Sequence, residues 1–252
     1  MAKLIVYEKH HDGYGTVLLN REEKRNAISQ QMAEQLNSLL AELKLDLPKF
    51  LVLKSAGDKV FCAGGDLNEL NDELNETEAF SHLTPMREVL YQLATFPVPT
   101  ICLLQGNAFG GGCELATACD IRIAKEGTKF GFIQSNLGIL PGWGGGALLY
   151  QKVNPNFALQ WITEGSTFTA EELKDKGWLH RIIAKDKWEN EAEILTPYRN
   201  KSIDQLTFLK EQFLQGIGRD QLKAEMIQES RHSAYLWPSE THKEAVRSFL
   251  KK

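Results

Sequence analysis

The chain has 252 residues, a formal net charge of −4, 42% hydrophobic and 25% charged residues, which suits a globular protein with a sizeable core. The slightly acidic balance excludes a broad nucleic-acid-binding face. No stretch approaches the roughly 18 apolar residues of a membrane span, and "MAKLIVYEKHHDG" lacks a signal-peptide core, so a cytoplasmic protein with no membrane partner is expected.

In chain order, "KLIVYEKH", a turn at Asp12-Gly13 and "GTVLLN" predict a hairpin. From Ser29, apolar residues at Met32, Leu36, Leu39, Leu40 and Leu43 recur at helical spacing, and Pro48 closes that unit. "FLVLKS" and "KVFCA" are short strands. Asp66 with Glu69 three residues on is a variant capping box, so a helix is expected to begin at Leu67 with Asp66 as its cap. "VPTICLLQG" predicts a buried strand, followed by glycines and a helix through about Ala118; "DIRIA" and "KFGF" are further strands. Two strands and a helix, repeated, predict an α/β fold of stacked turns.

Beyond Asn156 the chain is mostly helical. "TAEELKDKG" is a helix closed by Gly177, "WLHRII" a last strand, and only helices follow from about Thr196. Tyr235, Trp237 and Phe249 in this tail are expected to be exposed aromatics that pack on a neighbour, which predicts an oligomer. Cys62, Cys102, Cys113 and Cys119 form no CxxC pair and have no histidines at zinc-ligand spacing, so reduced packing cysteines and no metal are expected.

Two glycine clusters stand at expected helix starts. Gly64 and Gly65 precede Asp66, and Gly110 to Gly112 precede Cys113 and Glu114 in "GNAFGGGCELATACD". Backbone N–H groups there lack intrahelical partners and can meet an anion. Two such ends brought together would make a two-donor oxyanion hole, each donor worth about 3 kcal/mol to a transition state. Each element also has a plainer reading: a capped turn at Gly64-Gly65, a dipole-complementing acid at Glu114 and a cap or ion-pair residue at Asp120. "GNAFGGGCE" fails as a P-loop because Cys113 occupies the lysine position. "GWGGGA" matches the dinucleotide fingerprint only formally, since Pro141 interrupts its lead-in.

"FCAGGDL", then "GNAFGGGCELATACDIRIA", then "KFGFIQSNLGILPGWGGG", with "LNREEKRNAIS" before and "GSTFTAEELKDKGWLHRII" after, resembles the crotonase superfamily, the enoyl-CoA hydratase/isomerase group. The motifs run in family order over about the first 185 residues. The resemblance implies an α/β, crotonase-like spiral of ββα turns over residues 1–195. It implies a C-terminal helical oligomerisation region at 196–252 that makes homotrimers or dimers of trimers. It implies an acyl-CoA substrate that itself brings the coenzyme, with no separate cofactor. By position, the oxyanion donors would be the N–H groups of Gly65 and Gly111. Glu114 would be the acid/base, and the backbone of Gly142 would help hold water. Ala27, Ala63, Asp66 and Leu67 would border the CoA groove, and Lys24 and Arg25 would meet its phosphates; Phe249 and Lys251 are further CoA contacts by position.

The pattern departs at one catalytic position. Where hydratases carry a second glutamate, "KFGFIQSNLG" has Gln134, and Ile133 replaces a proline. An amide can orient water but cannot act as a general base. Two reactions therefore stay open: Glu114 alone handles protons in hydratase, dehydratase or isomerase chemistry, or the enzyme decarboxylates a malonyl-type CoA. "ATACDIR" and "NLGILPGWGG" resemble ethylmalonyl-CoA decarboxylase, and "NLG" recurs in methylmalonyl-CoA decarboxylase. Some superfamily relatives bind RNA through a lysine-bearing helix, but "SQQMAEQLNSLLAEL" has no lysine or arginine. A non-catalytic CoA-binding protein is the remaining alternative of another class.

Overall fold

Strands β1 (Ile5–Lys9) and β2 (Gly15–Leu19) form the expected antiparallel hairpin, with Gly13 in the left-handed region at φ +85°. Helix α1 (Gln30–Leu43) starts where Ser29 Oγ accepts the Met32 N–H at 3.3 Å, and Met32, Leu36, Leu40 and Leu43 make its buried face. The computed structural model describes residues 3–66, 69 and 74–250, the last two by backbone alone.

Three successive units then wind a spiral. The first is β3 (Leu51–Ser55), β4 (Val60–Cys62) and α2 (Glu76–Ala94). The second is β5 (Thr100–Leu104), β6 (Asn107–Phe109) and α3 (Gly111–Ala118). The third is β7 (Ile121–Lys125), β8 (Lys129–Gly131) and α4 (Gly145–Lys152). Helix α5 (Pro155–Glu164), β9 (Thr167–Thr169), α6 (Ala170–Asp175) and β10 (Arg181–Ile183) complete the core. Each unit gives its first strand to one sheet, ordered β1-β2-β3-β5-β7-β10, and its second to another, ordered β4-β6-β8-β9. Pairing within both sheets is parallel except at β1–β2 and β8–β9. The expected α/β spiral of ββα turns is the fold observed.

After β10 come α7 (Glu191–Ile194), α8 (Thr196–Arg199), α9 (Ile203–Gly216), α10 (Arg219–Leu236) and α11 (Glu240–Leu250). Helix α10 lies across α2 and α4, and α11 lies against a short turn at Gln134–Leu137. No helix among the described residues is long and apolar enough to cross a membrane. All four cysteines are free and buried, as expected of packing residues.

Two local expectations are corrected. The Asp66 N–H donates to the Ile28 carbonyl at 2.9 Å, while the Glu69 carboxylate reaches across to the Gln30 N–H at 2.7 Å. The Asp66 N–H and the Glu69 carboxylate thus turn to tertiary partners rather than to each other; the helix expected from Leu67, with Asp66 as its cap, falls on residues outside those described. In the tail, Tyr235 is 69% exposed as expected, but Trp237 is only 2% exposed, because α10 turns its ring inward. The Phe249 side chain and Lys251 lie outside the described residues.

Candidate active site

Helix α3 is held from behind by cations. Lys152 Nζ donates to the carbonyls of Thr117 and Cys119, both at 2.7 Å, and Arg122 Nη1 donates to Cys119 at 2.6 Å. These groups satisfy its C-terminal carbonyls and complement the negative end of its dipole. The positive end, with the Gly111 N–H at its first position, points into the spiral.

Each of the three glycines at that end has a steric reason within the protein. Gly110 has φ +53° and ψ −121°, a conformation that an L side chain rarely adopts. A Cβ on Gly111 would strike the Trp143 ring, and one on Gly112 would strike the Cys62 carbonyl. The same packing brings the first glycine cluster alongside. A Cβ on Gly64 would sit 3.4 Å from the Gly111 nitrogen.

The Gly65 segment is a bridge strand. Gly64 O and Asp66 N–H both bond Ile28, at 2.9 Å each, so the alternation of an extended chain turns the intervening Gly65 N–H to the opposite side. Beside this strand is a cavity of about 100 Å³. Gly65, Gly111, Glu114, Gln134 and Gly142 all line it, and Ala63 stands at its edge. Five sequence-predicted residues, separated by up to 77 positions, thus share one cavity.

Glu114 is 2% exposed, and its carboxylate is held by four donors. Oε1 accepts Gln134 Nε2 at 2.8 Å and the Gly142 N–H at 3.4 Å; Oε2 accepts the N–H groups of Trp143 at 2.9 Å and Gly145 at 3.0 Å. Burial raises its pKa above the ordinary carboxylate value, and these donors, Gly145 foremost, pull against that rise. Gln134 is 7% exposed, and with its Nε2 on the carboxylate its Oε1 has no partner among the described residues. An ionised carboxylate only accepts, which fixes this amide orientation.

The remaining wall is apolar: Leu83, Ile133, Ile139, Leu140, Trp143 and Trp237, with Ser233 beside them. Among the described residues no basic side chain lines the cavity. Among the described residues no group of three or more His, Cys, Asp or Glu is placed to hold a metal ion.

Of the residues expected along the CoA groove, Ala63 lines the cavity, while Lys24, Arg25, Ala27 and Asp66 surround the Gly65 strand. Asp66 is 5% exposed and pairs with Arg21 at 2.6 Å, while Arg21 Nη1 also donates to the Ala27 carbonyl at 3.0 Å. The Arg25 carbonyl accepts the Ala63 N–H at 3.1 Å, and Lys24 and Arg25 have exposed side chains on the adjoining turn. Arg25 has φ 53°, in the left-handed region.

Sequence reading missed the contribution of α10. Ser233 and Trp237 line the cavity, and Ser230 Oγ donates to the Gly142 carbonyl at 2.7 Å. A polar helix about ninety positions beyond its partners gives no local signal for such roles.

The family model described as Enoyl-CoA hydratase/isomerase matches residues 9–252. The chain is 34% identical over 183 residues to "Enoyl-CoA hydratase domain-containing protein 2, mitochondrial" of Mus musculus, covering 72% of this chain and 62% of that protein. It is 30% identical over 246 residues to "Probable enoyl-CoA hydratase echA8" of Mycobacterium leprae, covering 96% of this chain and 94% of that one. A crystal structure of enoyl-CoA hydratase from Bacillus halodurans superposes with a TM-score of 0.88 at 22% identity, covering 98% of this chain and all of that one, which shows the shared fold.

Proposed function

The chain belongs to the enoyl-CoA hydratase/isomerase family, and from that premise we propose that it adds water across the double bond of a short 2-enoyl-CoA thioester, or removes it in reverse. The observation that carries this reading is the Glu114 carboxylate in the cavity wall, bonded to a Gln134 amide whose Oε1 has no hydrogen-bond partner among the described residues. A water molecule given two acceptors and no donor directs both hydrogens to the protein and its lone pair at the substrate.

The thioester oxygen would take the N–H groups of Gly65 and Gly111, which oppose the charge that develops on it as the enolate forms. Water attacks C3 and gives its proton to Glu114. The same carboxylate then delivers a proton to C2, so hydroxyl and hydrogen are added and the protein's proton count is restored. The long contact from Gly142, at 3.4 Å, is the one a water can displace at Oε1. A carboxylate whose burial raises its pKa is a stronger base than one in solvent.

Size and charge narrow the substrate. Cavities near 150 Å³ hold a benzene ring, so about 100 Å³ has room for about four heavy atoms. That fits an acyl group of crotonyl size. The alternative, decarboxylation of a malonyl-type thioester, sets a second carboxylate against Glu114 with no basic side chain in the wall among the described residues. The absence of a countercharge favours the hydratase reading.

The test is product mass after separate incubation with crotonyl-CoA, dodecenoyl-CoA, methylmalonyl-CoA and ethylmalonyl-CoA. Gain of one water on crotonyl-CoA, with dodecenoyl-CoA much slower, supports the reading. Loss of CO2 from a malonyl-type substrate with crotonyl-CoA untouched replaces it.

A further inference from the structure

The segment Gly142–Ala147 is a ribbon of N–H donors shared between two carboxylates. Its front half serves Glu114, through Trp143 and Gly145. Its far end serves Glu229, a residue of α10 on the opposite side. Glu229 Oε2 accepts the Ala147 N–H at 2.6 Å, its Oε1 accepts Gly146 at 3.3 Å, and the Gly144 N–H joins them.

The glycines of this ribbon let it pass between the two acids. A Cβ on Gly145 would strike the Glu114 side chain, and one on Gly146 would lie 2.5 Å from Glu229 Oε2. Two further α10 hydroxyls fasten the approach: Ser230 on the Gly142 carbonyl at 2.7 Å and Ser233 on the Leu140 carbonyl at 3.0 Å. Residues 229, 230 and 233 lie on one face of the helix.

We infer that Glu229 is a positioning residue: by clamping the Gly144–Ala147 end of the ribbon, it keeps the N–H groups of Trp143 and Gly145 aimed at Glu114. The inference rests on the reading of Glu114 as the acid/base only for its effect on rate; the clamp itself is a matter of hydrogen bonds. Without it, the first turn of α4 would lose the acceptor of its N–H groups, and the adjacent ribbon would be free to rotate away. Glu114 would then keep Gln134 and lose the aim of its two best backbone donors. The 2.6 Å bond is short enough to be charge-assisted. A plain helix cap would not need this connection, because it would end at α4; here Glu114 takes the donors of Gly142, Trp143 and Gly145 and Glu229 those of Gly146 and Ala147, all within six residues.

The test uses the full-length protein and the variants Glu229→Gln and Glu229→Asp, with Gln228→Ala as an exposed α10 neighbour that bonds His232 and leaves the clamp in place. Hydrogen–deuterium exchange reads the amides of Trp143 and Gly145 directly, whatever reaction the protein catalyses. Glu229→Gln should exchange at these two amides about tenfold faster, with the rest of α4 and α10 unchanged, and Glu229→Asp should recover part of the protection. Where crotonyl-CoA is hydrated, kcat should fall about tenfold or more in Glu229→Gln while KM stays within twofold. Unchanged exchange at Trp143 and Gly145 in folded Glu229→Gln would overturn the inference, as would faster exchange spread over the whole of α4 and α10. Failure of the hydratase reading would appear separately, as wild-type protein with the expected exchange pattern and no hydration.

Discussion

Gln134 Nε2 lies 2.8 Å from Glu114 Oε1, so the residue that departs from the hydratase pattern is bonded to the residue that keeps it. The amide does not replace the missing base. It spends its donor on the Glu114 carboxylate, and its Oε1 has no partner among the described residues.

Glu114→Gln removes the only matched acid/base. Hydration of crotonyl-CoA should fall by a factor of about 10² to 10⁴, with thioester affinity changed no more than about threefold. Because a glutamine cannot accept all four of the present donors, the variant should also lose about 1–3 kcal/mol of stability. Steady-state kinetics and chemical denaturation measure the two effects, and undiminished hydration would remove Glu114 from the mechanism.

Deleting the Gly111 donor needs care. Gly111→Pro would remove the N–H and also drive new atoms into the Trp143 ring, so a lost activity would be ambiguous. An ester in place of the Gly110–Gly111 amide removes only the N–H. It should cost about 10²-fold in kcat for thioester reactions, and a rate within threefold of wild type would dismiss the proposed hole.

Arg21 ties the turn carrying Lys24 and Arg25 to the strand carrying Gly65, through Asp66 and the Ala27 carbonyl. Arg21→Met should destabilise the protein by about 3 kcal/mol, the usual result of removing one member of a buried pair. It should also raise KM for acyl-CoA, because the edge of the groove shifts with the turn. A denaturation midpoint and KM equal to wild type would show the tie to be dispensable.

Lys152 caps α3 from a buried position, and burial, with Arg122 next, brings its pKa down to about 7 from the ordinary lysine value of 10.5. Between those values the unfolded chain holds this proton more tightly than the folded one. Its burial therefore costs stability in full below pH 7, and the cost is relieved as pH rises toward 10.5. Thermal melts of wild type and Lys152→Met across pH 6 to 9.5 should show wild type gaining relative to the variant as pH increases. Parallel curves would place the ammonium pKa near its ordinary value.

Leu83 forms part of the cavity wall and is 3% exposed. Leu83→Ala should lower stability by about 3 kcal/mol and shift the preferred substrate from crotonyl-CoA toward hexenoyl-CoA. An unchanged chain-length profile would mean that the acyl group does not occupy this cavity.

Much of the site is legible in the sequence because its glycines answer to backbone geometry. The cluster at 110–112 signals a crowded helix start, and the structure supplies the crowding from Trp143 and Cys62. The spiral is legible in the alternation of strand, strand and helix, although β6 and β9, at three residues each, are too short to show a period. Helix α2 carries Pro85 in its interior, which disguises it. Glu229 and Ser230 sit in a polar helix, and only tertiary packing against α4 turns them onto the ribbon. Trp237 looks like a surface aromatic until the chain reversal after α10 buries it.

The most direct test of the central claim is incubation of the purified protein with crotonyl-CoA in oxygen-18 water, followed by mass analysis of the acyl product. Water held between Glu114 and Gln134 predicts one heavy oxygen at C3 with the wild type and none above background with Glu114→Gln. Crotonyl-CoA recovered unlabelled from wild-type protein that binds it, with CO2 released from ethylmalonyl-CoA, would contradict the account and assign the site to decarboxylation.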